Sequence, residues 1–87
     1  MMRSECLITF PGTHNMLKAE MQLNSQGIST RSMPLPSDLG DSCGFCLRLW
    51  LEDVTMGLFI LKELKIPYGT VYRIIESEQG KYYDVFA

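Results

Sequence analysis

The chain has 87 residues, which is enough for one domain and too few for two. Its 46% hydrophobic and 21% charged residues exclude a disordered or low-complexity chain, and a net charge of −2 gives no general basic field for nucleic acid or an anionic membrane. No apolar run approaches the roughly 20 residues a membrane helix needs, so no membrane association is expected. The start, Met1 to Glu5, lacks the apolar length and small-residue cleavage site of a secretion signal. Three cysteines, an odd number, fit a reducing compartment better than a disulfide framework, so the expected location is cytoplasmic.

In chain order, Cys6-Leu7-Ile8-Thr9-Phe10 reads as a short strand closed by Pro11-Gly12. Thr13 is an N-cap for a helix beginning at His14, with Met16, Leu17, Ala19 and Leu23 on its apolar side and Met21 at the margin. Glu20 falls inside that stripe, and Gly27 stands where a helix-ending glycine belongs. Ile28 to Met33 is a weaker strand whose poor alternation suits a sheet edge. Pro34 to Asp41 is the longest loop; two prolines, a glycine and two aspartates argue against regular structure there.

A third strand runs from about Gly44 to Trp50. Phe45, Leu47, Leu49 and Leu51 share one parity and make the better core face; Cys46, Arg48 and Trp50 share the other. Glu52 and Asp53 open a second helix, with acid in its first turn as the helix dipole prefers. Val54, Leu58, Leu61 and Leu64 form its stripe, widened by Met56, Phe59 and Ile60, and Pro67 with Gly69 stops it. Thr70 to Ile75 is a fourth strand, and after a turn at Glu78 to Lys81 the segment Tyr82 to Phe86 can return as a short fifth.

Strand-helix-strand occurs twice. That order predicts an α+β domain over residues 1–87: a ferredoxin-like βαββαβ sandwich, with a four-stranded antiparallel sheet in the order 4-1-3-2, two helices on one face and an added C-terminal strand. Strands one and three are expected to run parallel. This puts Cys43 and Cys6 at one end of the sheet, beside both helix C-termini, and His14 at the other end, about 15–20 Å away.

The chemistry centres on Ser42-Cys43-Gly44-Phe45-Cys46. Cys43 follows a polar loop and precedes a glycine that admits close backbone approach, a placement that suits a reactive thiol; the alternative is a half-buried, inert structural cysteine. The Cys43-x-x-Cys46 spacing invites a dithiol or metal reading. A strand, however, separates the two by about 10 Å and points them to opposite faces, where a disulfide needs Cα atoms within ~7 Å. Cys46 is therefore read as sheet packing, and Cys6 as core and the only thiol that could resolve a disulfide. A zinc site would need Cys6, Cys43, Cys46 and His14 together, and the expected distance to His14 argues against both that set and a Cys-His dyad, so no metal and no cofactor is expected. Arg31, Arg48 and Arg73 are expected in a row on the open sheet face with Trp50 beside them. The central places of the first and third strands lack the stacking aromatics of an RNA-binding sheet, and a solvated face or one paired with a second copy is expected instead.

Thr9-Phe10-Pro11-Gly12-Thr13-His14, Lys18-Ala19-Glu20, Gly27-Ile28, Leu35-Pro36, Ser42-Cys43-Gly44 with Leu47-Arg48, and Val71-Tyr72-Arg73-Ile74 occur in an order and spacing that resembles one bacterial and archaeal family, the selenium/sulfur carrier protein-like domains. The resemblance covers roughly residues 5–76 and leaves the tail outside. It implies a protein that carries sulfur or selenium as a persulfide or perselenide and is not itself an enzyme. Cys43 would bear the transferred atom, and Ser42, Gly44, Arg48, Arg73 and Glu20 would be the binding residues. The implied partners are donor and acceptor proteins. A different class of function, a non-catalytic regulatory or protein-interaction module in which Cys43 is incidental, stands beside it. The surplus of Met56, Phe59 and Ile60 and the aromatic tail Tyr82-Tyr83-Phe86 suggest self-association as a homodimer.

Overall fold

The computed structural model describes residues 4–39 and 44–86, and Ser42 and Cys43 lie outside them. The described elements are β1 (Glu5–Thr9), α1 (Thr13–Ser25), β2 (Thr30–Pro34), a 3-10 turn (Ser37–Leu39), β3 (Phe45–Trp50), α2 (Leu51–Glu63), β4 (Val71–Ser77) and β5 (Gly80–Val85). This is an α+β architecture with one five-stranded sheet in the order β2-β3-β1-β4-β5. Every neighbouring pair is antiparallel.

That geometry corrects the expected direction of β3. Glu5 pairs with Trp50 and Thr9 with Cys46, so β1 and β3 run in opposite directions. The reason is topological. A helical crossover returns β2 in the direction of β1, and the turn to β3 then reverses the chain. The start of β3 therefore lies at the end of β1.

Both helices end in backbone-satisfied stops. After α1, Gly27 takes φ 87°, its N–H donates to the Asn24 carbonyl, and the Ile28 N–H donates to Leu23. The left-handed residue is the expected glycine. Ile28 is thereby committed to the helix stop and to the core, and strand pairing begins only at Thr30. There the Asn24 side-chain carbonyl accepts from both the Thr30 N–H and its hydroxyl, each at 3.1 Å. After α2 the same motif recurs with Lys65 at φ 56°; its N–H donates to Lys62 and the Ile66 N–H donates to Leu61. The helix thus stops before Pro67. The loop after β2, expected to be irregular, holds one 3-10 turn in which the Leu39 N–H donates to the Pro36 carbonyl.

One face of the sheet is sealed by the helices. Cys6, Ile8, Leu47, Leu49 and Val71 meet Met16, Ala19 and Leu23 of α1 and Val54, Ile60 and Leu61 of α2 in one buried cluster. Leu17 and Leu64, placed in the stripes by periodicity, are instead 53% and 43% exposed, and Phe45 at the start of β3 is 44% exposed. On α2 the buried Gly57 faces the sheet, where a Cβ would stand 3.4 Å from a Leu49 methyl. The opposite face is not simply solvated. Leu7, Cys46 and Ile74 are buried there under Met33, Leu35, Leu39, Tyr72 and Tyr83, so the loop after β2 and the added β5 cover its middle.

Candidate functional site

Gly44 marks the end of the sheet to which the candidate thiol is attached. It is exposed, has φ +82°, a left-handed conformation that favours glycine, and its carbonyl accepts from the Leu35 N–H at 2.8 Å. The end of β1, the start of α1 and the start of β4 lie at the same end, where the Gly69 N–H donates to the Thr9 carbonyl at 2.7 Å. His14, in the first turn of α1 and exposed, is therefore at the Gly44 end and not across the sheet from it. The length of the sheet does not separate His14 from Gly44. The pole of α1 is corrected in the same way, and that of α2 is as expected. The first turn of α1 at this end carries no acidic residue, and α2 brings its C-terminus here with Lys62 in its last turn.

The described thiols are sealed away. Cys6 is fully buried on the helix face, where it pairs with Leu49 and Arg73 at the far end of the sheet, so it cannot resolve a disulfide from the Gly44 end. Burial pushes its thiol above the ordinary 9.0, and the nearby Arg73 guanidinium offsets part of that rise. Cys46 is fully buried on the opposite face, as its parity predicts. The two cannot share a metal ion through a β-sheet. Among the described residues no group of three or more His, Cys, Asp or Glu is placed to hold one.

The remaining candidate residues are spread out. Glu20 is half-buried midway along α1. Arg48 lies four strand residues from Gly44, about 13 Å at ~3.3 Å per residue. Arg73 pairs with Cys6 and is exposed on the helix side, so it does not join a row with Arg31 and Arg48; the two-residue period of β4 puts Tyr72 and Ile74 on the other face instead. Arg31 and Arg48 do stand directly opposite each other on the non-helix face. The Arg48 Nε and one terminal nitrogen donate to the two carboxylate oxygens of Glu5. Those bonds push the Arg48 pKa further up. Glu5 was not legible as a partner from its position in the sequence, although its parity with Leu7 and Thr9 places it on that face.

The family model described as "Putative Se/S carrier protein-like" matches residues 5–73. The chain belongs to this family. The Se/S carrier-like match runs from the first residue of β1 to Arg73 in β4, and it includes the positions of Glu20, Ser42, Cys43, Gly44 and Arg48. β5, which extends the sheet and helps cover its second face, lies outside it. No curated protein and no solved structure matches the chain. Among the described residues, no helix is long and apolar enough to cross a membrane.

Proposed function

We propose that this protein is a sulfur or selenium carrier whose thiol is Cys43, with Gly44 and Ser42 flanking it, working between donor and acceptor proteins in a reducing compartment such as the cytoplasm. Membership of the Se/S carrier-like family supports the class of function. One observation carries the choice of residue: Cys6 and Cys46, the other two cysteines of the chain, are fully buried on opposite faces of the sheet and closed to an external donor. Cys43 is the covalent neighbour of Gly44, whose end of the sheet holds the N-terminal pole of α1, with no acid in its first turn, beside the C-terminal pole of α2, which Lys62 offsets. A helix N-terminus favours thiolate over thiol. We also read the βαββαβ core as ferredoxin-like, with β5 as an addition.

The transfer step conserves oxidation state overall. The Cys43 thiolate attacks the outer sulfur of a donor persulfide. The donor's S–S bond breaks and its inner sulfur leaves as thiolate, while a new S–S bond forms on Cys43. An acceptor thiolate repeats the exchange; with selenium, the outer atom is Se. Glu20, Arg48 and Arg73 are too dispersed to form one pocket around this thiol and serve better as contacts for partner proteins.

The test is mass spectrometry after incubation with a cysteine desulfurase and cysteine. The wild-type protein is expected to gain one sulfur atom, removable by a reductant, and Cys43→Ser to gain none. A protein that stays unmodified, or a gain that persists in Cys43→Ser, overturns the reading.

A further inference from the structure

A second site lies at the far end of the sheet from Gly44. A cleft of about 340 Å³ opens there between β2 and β3, lined by Glu5, Thr30, Arg31, Arg48, Leu49 and Trp50 among others. Its size is at the low end of the ~300–1,000 Å³ typical of small-molecule sites. Like charges directly opposite on neighbouring strands destabilise a sheet, yet Arg31 and Arg48 face each other across β2 and β3. Glu5 is the one carboxylate that lines the cleft, and it is engaged by both donating nitrogens of Arg48, to which Glu76 adds a more distant attraction. Arg31 makes no ion pair among the described residues. The lining of the cleft therefore holds two guanidiniums against one carboxylate, in a protein whose net charge is −2.

We infer that this cleft binds a small organic monocarboxylate, its carboxylate on the free fork of Arg31 and its apolar body against Trp50. The charge count selects a monoanion. One negative charge neutralises the excess, whereas a second would fall beside Glu5. A guanidinium presents paired N–H donors that match the two oxygens of a carboxylate. Arg48 is held in place by Glu5 and supplies a fixed positive wall, so little side-chain ordering remains to be done on binding beyond Arg31 itself. The half-buried Trp50 gives a flat apolar surface next to that charge. The site shares Arg48 with the partner contacts proposed above but no residue with the Cys43-Gly44 segment, and its test reads ligand binding without any sulfur transfer.

Trp50 is the chain's only tryptophan, so its indole N–H is a single reporter inside the cleft. The experiment titrates the full chain with benzoate and follows that resonance and the amides of Thr30, Arg31 and Leu49 by two-dimensional NMR. Benzamide serves as the neutral match and inorganic phosphate as the polyvalent one. Saturable benzoate shifts with a dissociation constant on the order of 1 mM are expected, with little response to benzamide and weaker binding of phosphate. Arg31→Gln, an exposed edge-strand change, should weaken benzoate at least tenfold, as expected for a lost charge-assisted fork, while leaving the melting temperature in place. Arg31→Lys should recover part of the affinity. The inference is overturned if benzoate produces no saturable shift, if benzamide binds as well, if phosphate binds more tightly, or if Arg31→Gln binds benzoate unchanged.

Discussion

Leu7→Ala tests the least expected part of this architecture, the apolar cluster on the sheet face away from the helices. Leu7 is fully buried in the middle of that face with Cys46 and Ile74. The substitution deletes three carbons. At about 0.8 kcal/mol per buried CH2 the transfer loss alone is about 2.4 kcal/mol. Incomplete collapse of the surroundings adds to it, which takes buried Leu→Ala changes to about 2–5 kcal/mol. Here β1 is the central strand, held on both sides by β3 and β4, so the backbone cannot move in to fill the space. A loss of about 3 kcal/mol is expected, equivalent to a fall in melting temperature of roughly 12–24 °C for a domain of this size. Urea unfolding followed by circular dichroism measures it directly as a lower midpoint at unchanged slope. Leu17→Ala on the exposed side of α1 is the reference and should stay within about 0.5 kcal/mol of the parent. If Leu7→Ala also costs less than about 1 kcal/mol, the second face is solvated and the cluster reasoning fails.

Three further outcomes follow from the geometry. Gly69→Ala would place a Cβ 2.6 Å from the Thr9 hydroxyl oxygen, which accepts from the Thr70 N–H at 2.8 Å, so the variant should lose about 1–3 kcal/mol in the same urea assay. Lys65→Gly should gain about 0.5–1 kcal/mol by removing the side-chain strain at φ 56°, and a β-branched Lys65→Val should lose stability; thermal melting of the pair gives the two signs. Because burial raises the Cys6 thiol above 9.0, the unfolded chain gives up that proton first as pH rises. This contribution is complete below the ordinary thiol value and is lost as pH climbs through 9.0 toward the folded-state value. The urea midpoint of the parent should therefore fall more steeply over that interval than that of Cys6→Ala, and parallel curves would refute the assignment.

Element identities were legible because periodicity and stop signals are local. Gly27 ends α1 where a left-handed glycine should, and the two-residue period of β3 correctly sends Leu47 and Cys46 to opposite faces. What failed was long-range. The direction of β3 relative to β1 depends on how two connections compose, and the expected parallel pairing put His14, Cys6 and the α1 pole at the wrong end relative to Gly44, while the α2 C-terminus stands at the expected end. Coverage of the second face depends on Leu35, Leu39 and Tyr83, residues of a loop and an added strand whose spacing carries no sheet-face signal. Lys65 in a left-handed conformation could not be read from a residue type that ordinarily avoids it. Arg48 was identified as a site residue, but its partner Glu5 lies at the start of β1, joined to it only by strand pairing. The candidate thiol itself, Cys43, falls outside the described residues, so its role rests on family membership and on the burial of the other two cysteines.

The central position of β1 also sets the order in which this protein can fold. Cys6 lies between Leu49 and Arg73 in the sheet, and both faces of β1 are covered by residues from later in the chain. Made before the other strands of this sheet, β1 therefore has no neighbour until β3 has emerged, and its second edge stays unpaired until β4 follows. Closing such distant pairs is entropically slow, and sheets dominated by them fold in milliseconds to seconds rather than microseconds. During synthesis the run Cys6 to Phe10, apolar and strand-forming, waits unpaired until β3 emerges, which exposes it to association with other chains.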